Sequence, residues 1–435
     1  MSSTIKLYEH NQKAYDALLD MLGERDRACV IKPTGTGKFV IIAKMVQDNP
    51  DKRFLLLGTN DYMFNDQMAN LAEFAPGFTP ENLQFMTYAT AMGMERRNDH
   101  VPTYDVIIAD EFHHCGAEEW GKGVAYILDA NENAKVVGFS ATPIRYTDGG
   151  RNMADEMFDG NVAYSMELEE AWLRGILPIP EYIVALYDAP SELEKLAKTI
   201  TTVRDETARR RFKKKYEKLR RALTEADGVR ETIAAYLKKA DAKVIVFCPR
   251  VAKLREFMLL RREWFGAVNG EIHAYKTVSA DPYGSTDFRA FKDDESDALK
   301  VLYCVNQLNE AVHIKGVDAI VMVRPTKSPT VFYQQLGRVL SSGGNRTPLV
   351  FDLCNNFGSI TVTEGIGSRM ENAYREMKDA GEHPIFSPND LKIVGKALEI
   401  KQLTEELRSA LNQQVSVDDK ITFLEEIAAQ NGGRL

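Results

Sequence analysis

Lys38 closes a glycine-rich turn, Pro33-Thr34-Gly35-Thr36-Gly37-Lys38, set between the apolar run Ala28-Cys29-Val30-Ile31 and the helix-like stretch Val40-Ile41-Ile42-Ala43-Lys44-Met45-Val46. Gly35 and Gly37 allow backbone angles that a Cβ closes off, so several N–H groups and a helix N-terminus can converge on one polyphosphate while Lys38 adds a point charge. Thr34, Gly35, Thr36, Gly37 and Lys38 are therefore the expected cradle of a nucleoside triphosphate. Two carboxylates follow downstream, where the apolar strand Val106-Ile107-Ile108-Ala109 runs into Asp110 and Glu111. Asp110 can hold Mg²⁺, and Glu111 can orient and deprotonate an attacking water. A solvated acidic turn would explain the carboxylates by themselves. The cradle upstream, and Gly138-Phe139-Ser140-Ala141-Thr142-Pro143 after the strand Lys135-Val136-Val137, favour a phosphoryl-transfer site instead.

In this order, the three segments resemble motifs I, II and III of superfamily 2 helicases of the DExH type, the broad group that includes the motor subunits of restriction enzymes. The resemblance continues through residues 5–355. Lys243-Val244-Ile245-Val246-Phe247-Cys248 is similar to motif IV, and Val305-Asn306-Gln307-Leu308-Asn309-Glu310 to the start of motif V. Gln334-Gln335-Leu336-Gly337-Arg338 resembles motif VI, and Gln67 falls where the family carries motif Ia. Tyr8-Glu9-His10-Asn11-Gln12 is similar to the segment whose glutamine reads the adenine edge. The resemblance implies ATP and Mg²⁺ as cofactors, Gln12 at the base, Glu111, Gln334 and Arg338 as catalytic residues, and nucleic acid, DNA rather than RNA, as the partner.

Several positions depart from that pattern. Lys32 stands where the general nucleotide-binding motif begins with glycine. Phe39 replaces the usual Ser or Thr, and a phenyl ring offers no oxygen to Mg²⁺. Ala311 and His313 replace the glycine and aspartate of motif V, and Ser341 the last arginine of motif VI. An arginine at the transferring phosphate contributes about 10³ to 10⁵ in rate, so its loss matters. Two functional readings follow. One is an ATP-dependent helicase or translocase whose hydrolysis nucleic acid stimulates. The other is a weakly hydrolysing or non-hydrolysing clamp or scaffold that closes on nucleic acid when ATP binds.

Short apolar strands alternate with helix-length segments, the pattern of parallel sheets covered by helices on both faces. Strands are expected near 28–32, 54–58, 83–87, 105–109 and 135–139, then near 243–248, 270–274, 299–304, 318–323 and 348–353. The fold class is thus α/β, with two RecA-like parallel-sheet domains, a helical linker and a helical tail. The expected division is 1–185 for the first domain, 186–240 for a basic linker, 241–360 for the second domain and 361–435 for the tail. A chain of 435 residues with 44% hydrophobic content can build more than one core. Apolar runs are too short to span a bilayer and the N-terminus lacks a signal-peptide block, which implies a cytoplasmic protein with no membrane partner. The five cysteines, at 29, 115, 248, 304 and 354, form no Cys-x-x-Cys pair and read as buried reduced thiols. His113, His114 and Cys115 read as a structural or coupling element between the lobes rather than a metal cluster.

From Arg204 to Arg221 ten basic residues face three acidic ones, while Ala208, Phe212, Tyr216, Leu219 and Leu223 recur every three or four positions. This is a helix with a narrow apolar stripe and a basic remainder. It is either a solvated linker or a phosphate contact, and the net charge of −8 favours the second, since an acidic protein must concentrate positive charge to hold nucleic acid. In the tail, Leu403, Leu407 and Leu411 line one face and are expected to pack on the second lobe, with a protein partner as the alternative. Asp390 with Glu399-Ile400-Lys401 faintly resembles a nuclease pattern, but its helical context argues against that activity.

Overall fold

The computed structural model describes residues 4–145, 150–184, 189–225, 228–278, 284–305, 314, 316–324, 332, 336–337, 347–354, 366–394, 406–415, 417–418 and 421. Arg338, Gln334, Ala311, His313 and Ser341 lie outside them, as do Leu403, Glu399 and Lys401.

Fifteen strands among these residues build two parallel sheets and one small hairpin. The first sheet holds β1 (Arg27–Ile31), β2 (Phe54–Gly58), β3 (Leu83–Thr87), β4 (Val106–Asp110), β5 (Lys135–Ser140) and β8 (Val162–Ser165). β6 (Ile144–Arg145) and β7 (Arg151–Asn152) pair antiparallel outside it. The strand order is β3-β2-β4-β5-β1-β8. Val, Ile and Leu fill these strands on both faces because helices cover both; β2 is buried at all five positions, and β1 and β4 at four of theirs. One face packs on the helices Glu9–Glu24 and Lys38–Asp48, the other on Tyr88–Arg97 and Glu118–Asp129.

The second sheet holds β9 (Glu181–Val184), β10 (Lys243–Phe247), β11 (Ile272–Val278), β12 (Leu299–Val305), β13 (Val317–Met322), β14 (Leu349–Asp352) and β15 (Ile393–Val394). Its order is β11-β12-β10-β13-β14-β9-β15, again parallel throughout. The ten expected strands all appear, within a few residues of their expected bounds.

Two expectations need correction. Residues 168–184 precede the basic segment and fall within the expected first domain, yet β9 pairs with β14, and Trp172 of the helix Leu168–Leu173 lies in the second core. The cause is chemical. β9 is apolar on both faces, and Tyr182 Oη donates 2.8 Å to the buried Asp352 carboxylate, a bond only the second sheet supplies. The basic segment is consequently an insertion between β9 and β10 of the second sheet, not a bridge between lobes. The second correction concerns the tail. Leu407 and Leu411 pack with Leu196, Ile200, Val203, Ala208, Phe212 and Leu219, away from the second-lobe core and covered by the chain's own helices Ala189–Thr202 and Glu206–Glu225. Leu407 and Leu411 are therefore buried within the chain itself. Earlier tail residues do join the second lobe, through the helix Ile366–Asp379 and β15. Asp390 caps a short turn by accepting from Ser387 N at 2.7 Å.

No helix among the described residues is long and apolar enough to cross a membrane. All five cysteines are free thiols, four of them buried.

Candidate nucleotide site

The order of the first sheet brings the chemistry together. β4, β5 and β1 are neighbours, so the loops leaving their carboxyl ends meet at one edge, where ligands of open parallel sheets bind. The loop after β1 carries Lys32 to Lys38, the turn after β4 carries Glu111, and β5 ends on Ser140.

The loop after β1 is shaped by its glycines. Gly35 and Gly37 have φ of 87° and 84°, and Gly37 precedes the helix Lys38–Asp48. At Gly37 a Cβ would lie 2.6 Å from Asn11 Nδ2, so the loop also needs glycine for close approach. Thr36 is buried, its hydroxyl donating 2.8 Å to the Pro33 carbonyl; Thr34 is half-buried and Gly35 exposed.

Lys38 reaches across the edge. Its Nζ lies 3.2 Å from Glu111 Oε1 and donates 3.2 Å to the Lys32 carbonyl. Glu111 sits at φ 51°, a left-handed angle uncommon outside glycine, at the point where β4 turns into a short 3-10 helix. Burial alone would raise its pKa, but the Lys38 ammonium and then His113 hold it well below the usual range. Asp110 behaves oppositely: burial and the neighbouring Glu111 charge push its carboxyl up to about 7, against the pull of Lys38. Glu111 thus stands ionised beside the Lys38 ammonium, while burial disfavours the charged form of Asp110.

A second ring of contacts fixes these groups. Ser140 Oγ donates 2.7 Å to the Thr142 carbonyl and lies 3.3 Å from Glu111 Oε2, to which Ala141 N donates at 3.3 Å. His113 Nδ1 is 2.9 Å from Ser140 Oγ and 3.5 Å from Glu111 Oε2. His113 therefore couples the acidic turn to the end of β5 within the first lobe. Tyr88 Oη donates 2.8 Å to the Asp110 carbonyl.

Gln12 stands apart from the loop, exposed, its Nε2 donating 2.7 Å to Asp16. Its neighbours make the contacts: His10 Nε2 is 3.3 Å from the Thr36 carbonyl, and buried Asn11 accepts from the Lys32 ammonium. The motif at 8–12 points to Gln12, whereas His10 and Asn11 are the residues that touch the loop and Lys32. A buried Asn beside a buried Lys was the available signal. Gln67 is half-buried on the helix Asp61–Phe74. Phe39 is built into the first core, its ring edge-on to Phe64 at 6.2 Å, and Phe64 stacks on Phe85 at 4.6 Å.

The second lobe meets the cradle at Gly337, where a Cβ would lie 2.8 Å from Thr34 Cβ. Asp66 of the first lobe and Lys292 of the second form an ion pair, with the carboxylate buried.

Comparison with known proteins agrees with this geometry. The family model for the type III restriction enzyme res subunit matches residues 4–145, and that for the helicase conserved C-terminal domain matches residues 215–343. The chain belongs to superfamily 2 of the helicases. A 51.5 kDa protein of a Lactococcus phage is 23% identical over 333 residues, covering 75% of this chain and 65% of that protein. Among solved structures, the type ISP restriction-modification enzyme LlaBIII bound to DNA has a TM-score of 0.55 at 17% identity, covering 94% of this chain and 33% of that one. A putative HsdR subunit fragment from Vibrio vulnificus YJ016 has a TM-score of 0.55 at 18% identity, with 82% and 66% covered. Dbp5 of S. cerevisiae bound to RNA and ADP BeF3 has a TM-score of 0.54 at 14% identity, with 94% and 98% covered. This superfamily 2 helicase chain thus spans about two thirds or less of the phage and restriction-enzyme relatives it matches, and its two sheets are RecA-like domains.

Proposed function

We propose that this helicase-family chain is a nucleic-acid-stimulated ATPase that works as a helicase or duplex translocase, on DNA rather than RNA. The observation that carries the reading is the Lys38 ammonium 3.2 Å from Glu111, at the end of a glycine loop in which a Cβ at Gly37 would lie 2.6 Å from Asn11 Nδ2. In the free site Lys38 is held by Glu111; on nucleotide binding it would turn to the β/γ phosphates, freeing Glu111 to orient and deprotonate water. Asp110 would hold Mg²⁺, which neutralises phosphate charge when bound. Thr34, Gly35, Thr36 and Gly37 would line the phosphates, and Gln12 would face the base. Arg338 and Gln334 would complete the site from the second lobe, a placement supported by Gly337 lying against Thr34. The match to a restriction-enzyme res subunit favours DNA, and free thiols fit a reducing cytoplasm.

The second reading, a weakly hydrolysing clamp, draws on Phe39. Its ring is committed to the core, so the first turn of the phosphate-loop helix offers no hydroxyl at that position. A multiple-turnover ATPase assay with and without duplex DNA separates the two. Turnover of about 1 s⁻¹ or faster with DNA supports the motor. ATP binding with no stimulated turnover supports the clamp, and no ATP binding overturns both.

A further inference from the structure

The helix Glu206–Glu225 has one apolar stripe, of which Ala208, Phe212 and Leu219 are buried against Leu196, Ile200, Leu407 and Leu411. Among the described residues that small core draws on the helices Ala189–Thr202 and Glu206–Glu225, on Val203 between them and on residues 406–415, so the insertion between β9 and β10 is a helical unit with its own interior. The unit is tied at its base, where Asp205 caps the basic helix by accepting from Ala208 N and Asp418 accepts from Arg204 N at 3.0 Å.

The remaining surface of the helix is cationic. Arg210, Arg211, Lys213, Lys214, Lys215, Lys218 and Arg220 are exposed. Two acidic side chains on it are used locally: Glu206 pairs with Arg209 and Arg210, and Glu217 with Arg220. Lys213, Lys214, Lys215 and Lys218 have no acidic partner among the described residues, in a protein whose net charge is −8. A helix kept soluble by its charges would balance them, since uncompensated like charges three and four apart oppose helix formation. Here the helix tolerates that repulsion, which a polyanion would relieve.

We propose that this helical unit is a docking arm for the phosphodiester backbone of duplex nucleic acid. The inference rests on the nucleic-acid reading of the nucleotide site and names the surface that reading lacks. A duplex is favoured over a single strand because single-strand sites pair cations with exposed aromatic platforms, and none is exposed among the arm's described residues: Phe212 is buried and Tyr216 half-buried. At about 1.5 Å per residue the helix is a rod of roughly 30 Å, long enough to follow the backbone across several phosphates. Such contacts carry no base readout, so binding through the arm is sequence-independent.

The test compares two charge-matched variants of the full chain. The arm variant carries Lys213→Gln, Lys214→Gln, Lys215→Gln and Lys218→Gln; the control carries Lys52→Gln, Lys122→Gln, Lys238→Gln and Lys378→Gln, exposed lysines elsewhere. Fluorescence anisotropy with a labelled duplex of about 30 base pairs and with the corresponding single strand gives affinity as a function of salt. The arm variant is expected to bind duplex at least about tenfold more weakly near 100 mM salt, with the slope of log K against log salt falling by about 0.9 per lost contact, while the control stays within about twofold of wild type. A fourfold Lys→Arg version of the arm should keep wild-type affinity, which separates charge loss from misfolding. Equal behaviour of arm and control variants overturns the arm while leaving the nucleic-acid reading intact. An equal loss on single strands overturns the duplex assignment, and a wild type that binds neither strand form overturns the arm together with the reading it rests on.

Discussion

The ammonium of Lys32 and the side-chain oxygen of Asn11 form a fully buried hydrogen bond directly beneath the phosphate loop. Lys32 Nζ also donates 3.4 Å to the His10 carbonyl and lies 5.7 Å from the Tyr164 ring centre, and no carboxylate among the described residues pairs with it. Burial, with the Lys38 charge nearby, brings its pKa down from 10.5 to about 7. The segment at 8–12, the loop and the end of β1 are thus held by a lysine that folds most readily in its neutral form.

That fixes a pH dependence. A lysine with a lowered folded pKa releases its proton on folding, so the unfolded chain binds more protons and stability rises with pH between about 7 and 10.5. Below that window the contribution is lost. Relative to Lys32→Met, the wild type should gain about 3 kcal/mol on going from about pH 7 to about pH 9.5. Urea melts of the first-lobe transition at the two pH values measure this, and parallel curves for the two proteins would remove the buried-lysine assignment.

Lys38 and Glu111 should fail differently. Lys38→Ala removes the charge meant for the phosphates and leaves the buried Glu111 without its principal cation, so ATP affinity should drop at least about tenfold. Glu111→Gln keeps the shape and the hydrogen bond while removing the base, so binding persists and turnover falls about 10² to 10⁴-fold. Equilibrium binding of a fluorescent ATP analogue, set beside steady-state rates, reads both. Unchanged affinity in Lys38→Ala would sink the cradle.

The strands and the edge where they deliver their loops were legible because both are short-range signals. Val106 to Ala109 is an apolar run ending on two carboxylates, and the parallel sheet brings its carboxyl end to the same edge as that of β1, with β5 between them. Membership of β9 was not legible, since a four-residue apolar strand pairs equally well with either sheet until Tyr182 finds Asp352. The same holds for Leu407 and Leu411, whose stripe declares a partner without saying which. Asn11 was missed for a related reason: its role depends on Lys32, twenty-one residues away.

Phe39 illustrates substitution by packing. Its ring meets Phe64 edge-on and contacts both the sheet core and the small cluster of Ile5, Ala43, Leu71 and Ala75. Phe39→Ser should therefore lower stability by about 2 to 3 kcal/mol through the cavity it leaves, whereas Phe39→Leu should cost about 1 kcal/mol. Denaturant melts check the order. If Phe39→Ser melts like wild type, the ring does not hold the helix, and the serine can be read purely as a restored oxygen.

Gly337 and Thr34 test whether the lobes work against each other across the cradle. A Cβ at Gly337 would lie 2.8 Å from Thr34 Cβ and 3.2 Å from its Cγ2, so Gly337→Ala must push the second lobe off the phosphate loop. The first-lobe site remains whole, so nucleotide affinity should change little while DNA-stimulated turnover falls at least about tenfold, because closure completes the catalytic site. Thr34→Gly removes both conflicting atoms. In the double variant the clash is gone, and turnover should recover above that of Gly337→Ala, giving a coupling energy of about 1 kcal/mol or more between sites whose side chains otherwise share no bond. Strict additivity in this cycle would mean that the Gly337 contact is not made during turnover.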